Sequence, residues 1–274
     1  MRIFKTTLCI GGISILLESS SKDFINSIKS KYNNFLSFVE EDNYFKIVFS
    51  QGKFLKKDEG IIVKRDGSNY SIKGEGFCGY LDIKRKTALV NISFKENVFN
   101  LFLRIFYSLI LPFYEGFLIH SAGLKKGDDS YILSGPSSSG KTTAARLAER
   151  EFCILSDELV IIRKMWGVFT AFATPFPGEF TGCIKNDKAA LKGLFFLNKN
   201  LIVPYAIKSR LETLVSLLEN IFFFCPDSES NRLIFNICGE ITNKIRGYDI
   251  NILYYSDFGR IMYEITEENV CPQP

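Results

Sequence analysis

A short strand, a glycine loop and a helix follow one another between residues 130 and 150, and few folds accommodate that order. Tyr131-Ile-Leu-Ser134 is brief and apolar, as a buried strand is. It runs into Gly135-Pro-Ser-Ser-Ser-Gly140-Lys141-Thr142, a complete G-x-x-x-x-G-K-[ST] pattern. Thr143 to Arg150 then carries helical spacing, with Ala144, Ala145, Leu147 and Ala148 expected on one side. A strand that feeds a helix through such a loop must pack that helix back on its own sheet, so the chain reads as an α/β protein. The residue types follow from anion binding. Gly135 and Gly140 allow backbone angles that a Cβ forbids. The loop N–H groups then turn inward at the positive end of the following helix. The nucleotide-binding candidates are therefore Gly135, Pro136, Ser137, Ser138, Ser139, Gly140, Lys141, Thr142 and Thr143. Lys141 is placed to reach the β- and γ-phosphates, and the Thr142 hydroxyl to ligate Mg²⁺, with ATP as the default nucleotide.

A phosphate loop needs a carboxylate at the end of a neighbouring strand. Phe152-Cys-Ile-Leu155 follows the helix directly, and Ser156-Asp157-Glu158 comes next, which puts Asp157 where a metal-binding aspartate belongs. Asp157 and Glu158 are adjacent, so they point to opposite sides on an extended backbone unless the chain turns there. His120, the one histidine of the chain, ends another apolar strand, Phe117-Leu-Ile-His120, and is followed by Ser121-Ala122-Gly123.

The chain has 274 residues, long enough for one large domain or two small ones. Its net charge of +4 is spread out, and no Lys/Arg block marks a nucleic-acid partner. Seven cysteines form no C-x-x-C pair, which together with the nucleotide loop suggests thiols in a reducing cytoplasm. The very apolar stretch 99–119 is interrupted by Arg104, Pro112 and Glu115, so it reads as a core helix and a strand, with no role at a membrane. Residues 1–17 read as a hairpin turning at Gly11-Gly12, and Asp23 to Lys31 as a helix after the cap signals Ser19-Ser20-Ser21. Short strands continue to residue 92. The expected division is a small antiparallel α+β module over 1–94, the natural element for peptide recognition by strand addition, and a catalytic domain over 95–274. Toward the end of the chain, 207–224 and 231–246 read as helices, and 250–255 and 260–265 as strands.

Four segments in order, Phe117-Leu-Ile-His-Ser-Ala-Gly123, Tyr131 to Thr143, Ile154-Leu-Ser-Asp-Glu158 and Thr174-Pro-Phe-Pro-Gly-Glu179, resemble the HPr kinase/phosphorylase family. The likeness extends to HPr-kinase-like proteins related in fold to phosphoenolpyruvate carboxykinase. It covers residues 116–182 and continues in pattern only beyond them. The resemblance implies a P-loop kinase core with a mixed sheet, preceded by the small α+β module. It implies that Lys141 and the loop amides hold the β-phosphate and that Thr142 and Asp157 bind Mg²⁺. It implies too that Asp157 or Glu158 accepts the proton of the substrate hydroxyl, that His120 lies beside the transferred group, and that Glu179 completes the metal shell. The chain departs from the family in pairing Asp157 with a glutamate where two aspartates are usual, and in lacking the family's later signature and its regulatory domain. The short kinases encoded beside modified peptides are a closer likeness. The expected activity is ATP- and Mg²⁺-dependent phosphorylation of a Ser/Thr hydroxyl on a peptide or small protein, a ribosomally made precursor, by a homo-oligomer. Two alternatives share the same motifs: a kinase of a small metabolite, and a nucleotide-binding partner protein that transfers nothing.

Overall fold

The computed structural model describes residues 2–38, 44–54, 60–136, 139–176, 178–180, 182–224, 227–252 and 262–266. The chain is α/β with two mixed sheets. It divides into two compact units, Met1–Ile110 with Phe223–Ser230, and Leu111–Phe222 with Asn231–Pro274.

The first unit opens with β1 (Phe4–Ile10) and β2 (Ile13–Ser19), joined at Gly11 and Gly12 with φ of 62° and 71°. Helix α1 (Lys22–Lys31) starts at Ser21, whose hydroxyl accepts from the Phe24 N–H at 3.3 Å, with Asp23 in the first turn and Lys29 and Lys31 in the last. Then come β3 (Tyr44–Gln51), β4 (Ile62–Asp66), β5 (Asn69–Gly74), β6 (Phe77–Asp82), β7 (Thr87–Ile92) and helix α2 (Glu96–Ile110). The seven strands lie in the order β1-β2-β3-β7-β6-β5-β4. The expected all-antiparallel module is thereby corrected, because β2–β3 and β3–β7 are parallel. Parallel neighbours need a crossover, and α1 supplies the first while the β4-β5-β6 meander supplies the second.

The sheet buries one face. Ala88, Val90 and Ile92 of β7 are buried while Thr87, Leu89 and Asn91 between them are exposed. Against the buried face lies α2, with ring pairs Phe49–Phe102 at 5.5 Å, Phe77–Phe102 at 5.7 Å and Phe45–Phe106 at 5.4 Å between centroids. Each such phenylalanine contributes about 2 kcal/mol by burial. This aromatic core accounts for the apolar run, and it moves the division expected after residue 94 to the far end of α2. Residues 223–230 join the same unit: Arg65 binds Asp227 and Glu229, and the hydroxyls of Tyr70 and Ser230 meet at 3.3 Å.

The second unit contains β8 (Gly116–Lys126), β9 (Asp129–Ser134), α3 (Lys141–Ala148), β10 (Cys153–Ser156), β11 (Leu159–Met165), β12 (Val168–Phe172), β13 (Lys188–Leu197), β14 (Tyr205–Ile207), α4 (Arg210–Glu219) and β15 (Ile221–Phe222). After α5 (Ser228–Lys244), which begins at the end of the 223–230 segment, β16 (Gly247–Ile250) completes the sheet. The strand pairings return on themselves: β8 pairs β11, β11 pairs β12, β12 pairs β13, β13 pairs β9, and β9 pairs β8. Ala144, Ala145 and Ala148 of α3 pack into a core with Leu133, Phe195 and Tyr248. Leu147 does not join them and is 47% exposed, because it falls off the stripe that residues 144, 145 and 148 define.

Three further expectations are corrected. The helix read over 207–224 is only α4. Its start is fixed by a capping box between Ser209 and Glu212, it stops at Asn220, and Ile221–Phe222 pair with β8. The strand read over 260–265 is helical over 262–266, where Met262 and Ile265, three apart, are buried and the Thr266 hydroxyl bonds the Met262 carbonyl at 3.1 Å. The strand read over 250–255 ends at Ile250, and residues 253–255 lie outside the described residues.

Candidate functional site

Strand β13 runs parallel to both β9 and β16. The glycine loop leaves β9 at Ser134, at the carboxyl end of these three strands. Helix α3 begins at Lys141, with Gly140 before it at φ 106°. A Cβ on Gly140 would stand 2.9 Å from Ile252 Cδ1, on a backbone that L-residues rarely adopt. Gly140→Ala is therefore expected to destabilise the protein by about 1–3 kcal/mol, read as a lower urea midpoint, and to weaken ATP binding in a calorimeter. An unchanged midpoint would show that the loop relaxes freely.

Lys141 is 7% exposed, and its ammonium donates to the carbonyls of Gly135 at 2.7 Å and Pro136 at 3.0 Å. The Ser139 hydroxyl in the same loop is buried and makes no hydrogen bond among the described residues. A buried donor of this kind fits a loop that receives an anion. Ser137 and Ser138 lie outside the described residues.

Burial pulls the Lys141 ammonium below its usual pKa. A polyphosphate beside it favours the charged form and raises it again. Between the two values binding takes up a proton, so ATP affinity is expected to fall as pH rises through the pKa of the free protein. Calorimetry in the alkaline range tests this, and a slope that persists in Lys141→Ala would assign the effect to another group.

The carboxylates are brought in by a turn. The Ser156 hydroxyl, at the end of β10, accepts from the N–H groups of Glu158 and Leu159, each at 3.3 Å, and donates to the Phe176 carbonyl at 3.3 Å. This bend lets Asp157 and Glu158 line the same cavity, where an extended backbone would part them. Ser156 is a residue that sequence reasoning passed over, although a serine two residues before the turn's end is a recognised turn signal. Asp157 is 3% exposed. One of its oxygens accepts from the Gly178 N–H at 2.7 Å and the other from the Phe180 N–H at 2.9 Å. Glycine at 178 leaves room for this contact: a Cβ there would lie 3.0 Å from an Asp157 oxygen and 3.3 Å from Glu158 Cβ, so the acidic turn would have to shift slightly. The Arg146 guanidinium donates to the Glu179 carbonyl at 3.4 Å, which ties this loop to α3 as well.

His120 pairs with Leu159 across β8 and β11, and the N–H of Ser121 donates to the Glu158 carbonyl at 3.0 Å. The ladder thus sets His120 beside the acidic turn. The result is a cavity of about 390 Å³ whose walls include His120, Lys141, Thr142, Thr143, Asp157, Glu158 and Glu179.

Among the described residues no group of three or more His, Cys, Asp or Glu side chains is disposed to hold a metal unaided. The oxygen donors Thr142 and Asp157, which line one cavity, are of the kind that suits Mg²⁺, which takes one or two carboxylates and completes its shell with phosphate and water.

No family model and no curated protein matches the chain. Among solved structures it is similar to the Hpr(Ser) kinase/phosphatase from Coxiella burnetii, at 13% identity and a TM-score of 0.27, over 46% of this chain and 91% of that one.

Proposed function

We propose that this protein is an ATP- and Mg²⁺-dependent kinase that transfers the γ-phosphoryl group to a Ser/Thr hydroxyl of a peptide or small protein, a ribosomally made precursor. The observation that carries the reading is the single cavity shared by the phosphate-loop residues Lys141 and Thr142, the carboxylates Asp157 and Glu158, and His120. Phosphoryl transfer asks chiefly for positioning and charge neutralisation, and this set supplies both.

Lys141 and the N–H groups opening α3 hold the terminal phosphates. Thr142 and Asp157 hold Mg²⁺, which when bound spreads the charge of the phosphate oxygens. Asp157 is fixed through both oxygens to the Gly178–Phe180 backbone, so it serves as the rigid ligand. Glu158 is half-exposed and stands at the cavity wall, which makes it the base that accepts the proton of the incoming hydroxyl. His120 stands beside the group in transit. His120→Ala is expected to lower kcat about 10²-fold while leaving ATP affinity within about twofold. Turnover equal to wild type would return His120 to a structural role.

The activity is tested by incubating the protein with ATP, Mg²⁺ and the small peptides encoded beside it, followed by mass spectrometry. One added phosphate on a peptide, absent with Lys141→Ala, supports the reading and identifies the acceptor. ATP binding without transfer to any peptide would overturn it.

A further inference from the structure

Both backbone groups of Glu158 are tied. Its N–H donates to the Ser156 hydroxyl at 3.3 Å, and its carbonyl accepts from the Ser121 N–H at 3.0 Å, on the strand that carries His120. The same Ser156 oxygen accepts from the Leu159 N–H at 3.3 Å and gives its own proton to the Phe176 carbonyl at 3.3 Å. A hydroxyl has one proton and two lone pairs, so Ser156 is used in full.

The anchor of that hydroxyl is fixed in turn. Thr174 brackets the bend: its N–H donates to the Leu155 carbonyl at 3.3 Å, before the turn, and its hydroxyl donates to the Leu159 carbonyl, after it. Leu155, Ser156, Leu159, Thr174 and Phe176 are each at most 1% exposed, which removes water as a substitute partner. The neighbouring carboxylate has separate support, since both oxygens of Asp157 rest on the N–H groups of Gly178 and Phe180. Two adjacent acids are thus placed by different means, Asp157 by its side-chain oxygens and the Glu158 backbone by Ser156 and Ser121.

We propose that Ser156 is a positioning residue for phosphoryl transfer, which aims the Glu158 carboxylate into the cavity by holding the turn through the N–H groups of Glu158 and Leu159. To that extent the proposal rests on the reading of Glu158 as the base. Ser156 is wholly buried and is not part of the cavity wall, so it acts only through its neighbour. In the step it serves, the acceptor oxygen bonds to the γ-phosphorus, the bond to the ADP oxygen breaks, and the acceptor proton passes to Glu158. A base has to stand within hydrogen-bond reach of that proton, and a misplacement of about 1 Å costs about 10²-fold in rate.

The test is a double-mutant cycle on the full-length protein, with Ser156→Ala and Glu158→Gln made singly and together. The rate is the single-turnover loss of the γ-phosphate from ATP with Mg²⁺, to water and to any accepting peptide. Ser156→Ala is expected to slow it at least about tenfold, while ATP affinity in a calorimeter stays within about twofold. Added to Glu158→Gln, the same change is expected to alter the rate by no more than about twofold, because a hydroxyl that works through Glu158 has nothing left to aim. A hydroxyl that only supports the fold would slow both backgrounds by one factor, and that result overturns the proposal. So does a Ser156→Ala protein as fast as wild type. Where Ser156→Ala does not fold, Ser156→Cys takes its place in the cycle, its thiol being a weaker partner for the same groups. A wild type that gives its γ-phosphate neither to water nor to any peptide would remove the kinase reading itself.

Discussion

Replacing Lys141 with alanine is expected to leave a folded protein that transfers phosphate at least about 10³-fold more slowly. The fold should tolerate the change. The lysine's visible bonds are to the carbonyls of Gly135 and Pro136 in its own loop, each worth about 1 kcal/mol net, and removing an ammonium that burial disfavours offsets part of that loss. The chemistry should not tolerate it, because among the described residues no other lysine or arginine lines the cavity that holds Thr142, Asp157 and Glu158. Single-turnover phosphate incorporation gives the rate, and thermal melting the fold. A rate within tenfold of wild type would remove Lys141 from the transition state and the phosphate-transfer reading with it.

The second large effect belongs to Asp157→Asn. Asparagine keeps the shape of the side chain but offers one acceptor oxygen where the structure uses two. Its amide nitrogen must then face the N–H of either Gly178 or Phe180, donor against donor. That mismatch costs about 1–3 kcal/mol in a residue that is 3% exposed. The variant also lacks the charge proposed to hold Mg²⁺, so transfer should fall about 10²-fold or more. The two losses have separate readouts, amide exchange at Gly178 and Phe180 for the loop and phosphate incorporation for the chemistry. Slow exchange with lost activity would confine Asp157 to the metal. Fast exchange with full activity would confine it to the loop.

The glycine loop was legible because its determinants are local: two glycines, a lysine and a threonine between an apolar strand and a helical stretch specify one another within a dozen residues. The acidic turn was half legible. Asp157 and Glu158 stood out as carboxylates after a strand, but only the hydroxyl of Ser156, bonded to two following N–H groups, explains how both reach one cavity. The parallel pairing of β3 with β7 was not legible, since the alternation of apolar residues is the same for either strand direction. Nor was the place of 223–230. Arg65 meets Asp227 and Glu229 across more than 160 positions of sequence, a contact that no local pattern announces. Helix α2 was read correctly as a buried helix and assigned to the wrong unit, because helical spacing reveals which face is apolar and not which sheet covers it.

The path of the chain through its two units also bears on how the protein is made. The N-terminal unit needs residues 223–230, which follow most of the second unit in sequence. During synthesis the first unit therefore stays unfinished until most of the second has been made. Until residue 230 has left the ribosome, Arg65 and Tyr70 wait without Asp227, Glu229 and Ser230. A nascent chain halted at residue 110 would hold every strand of the first sheet and still be unfinished, so the unit that is started first waits on a segment made after most of the other.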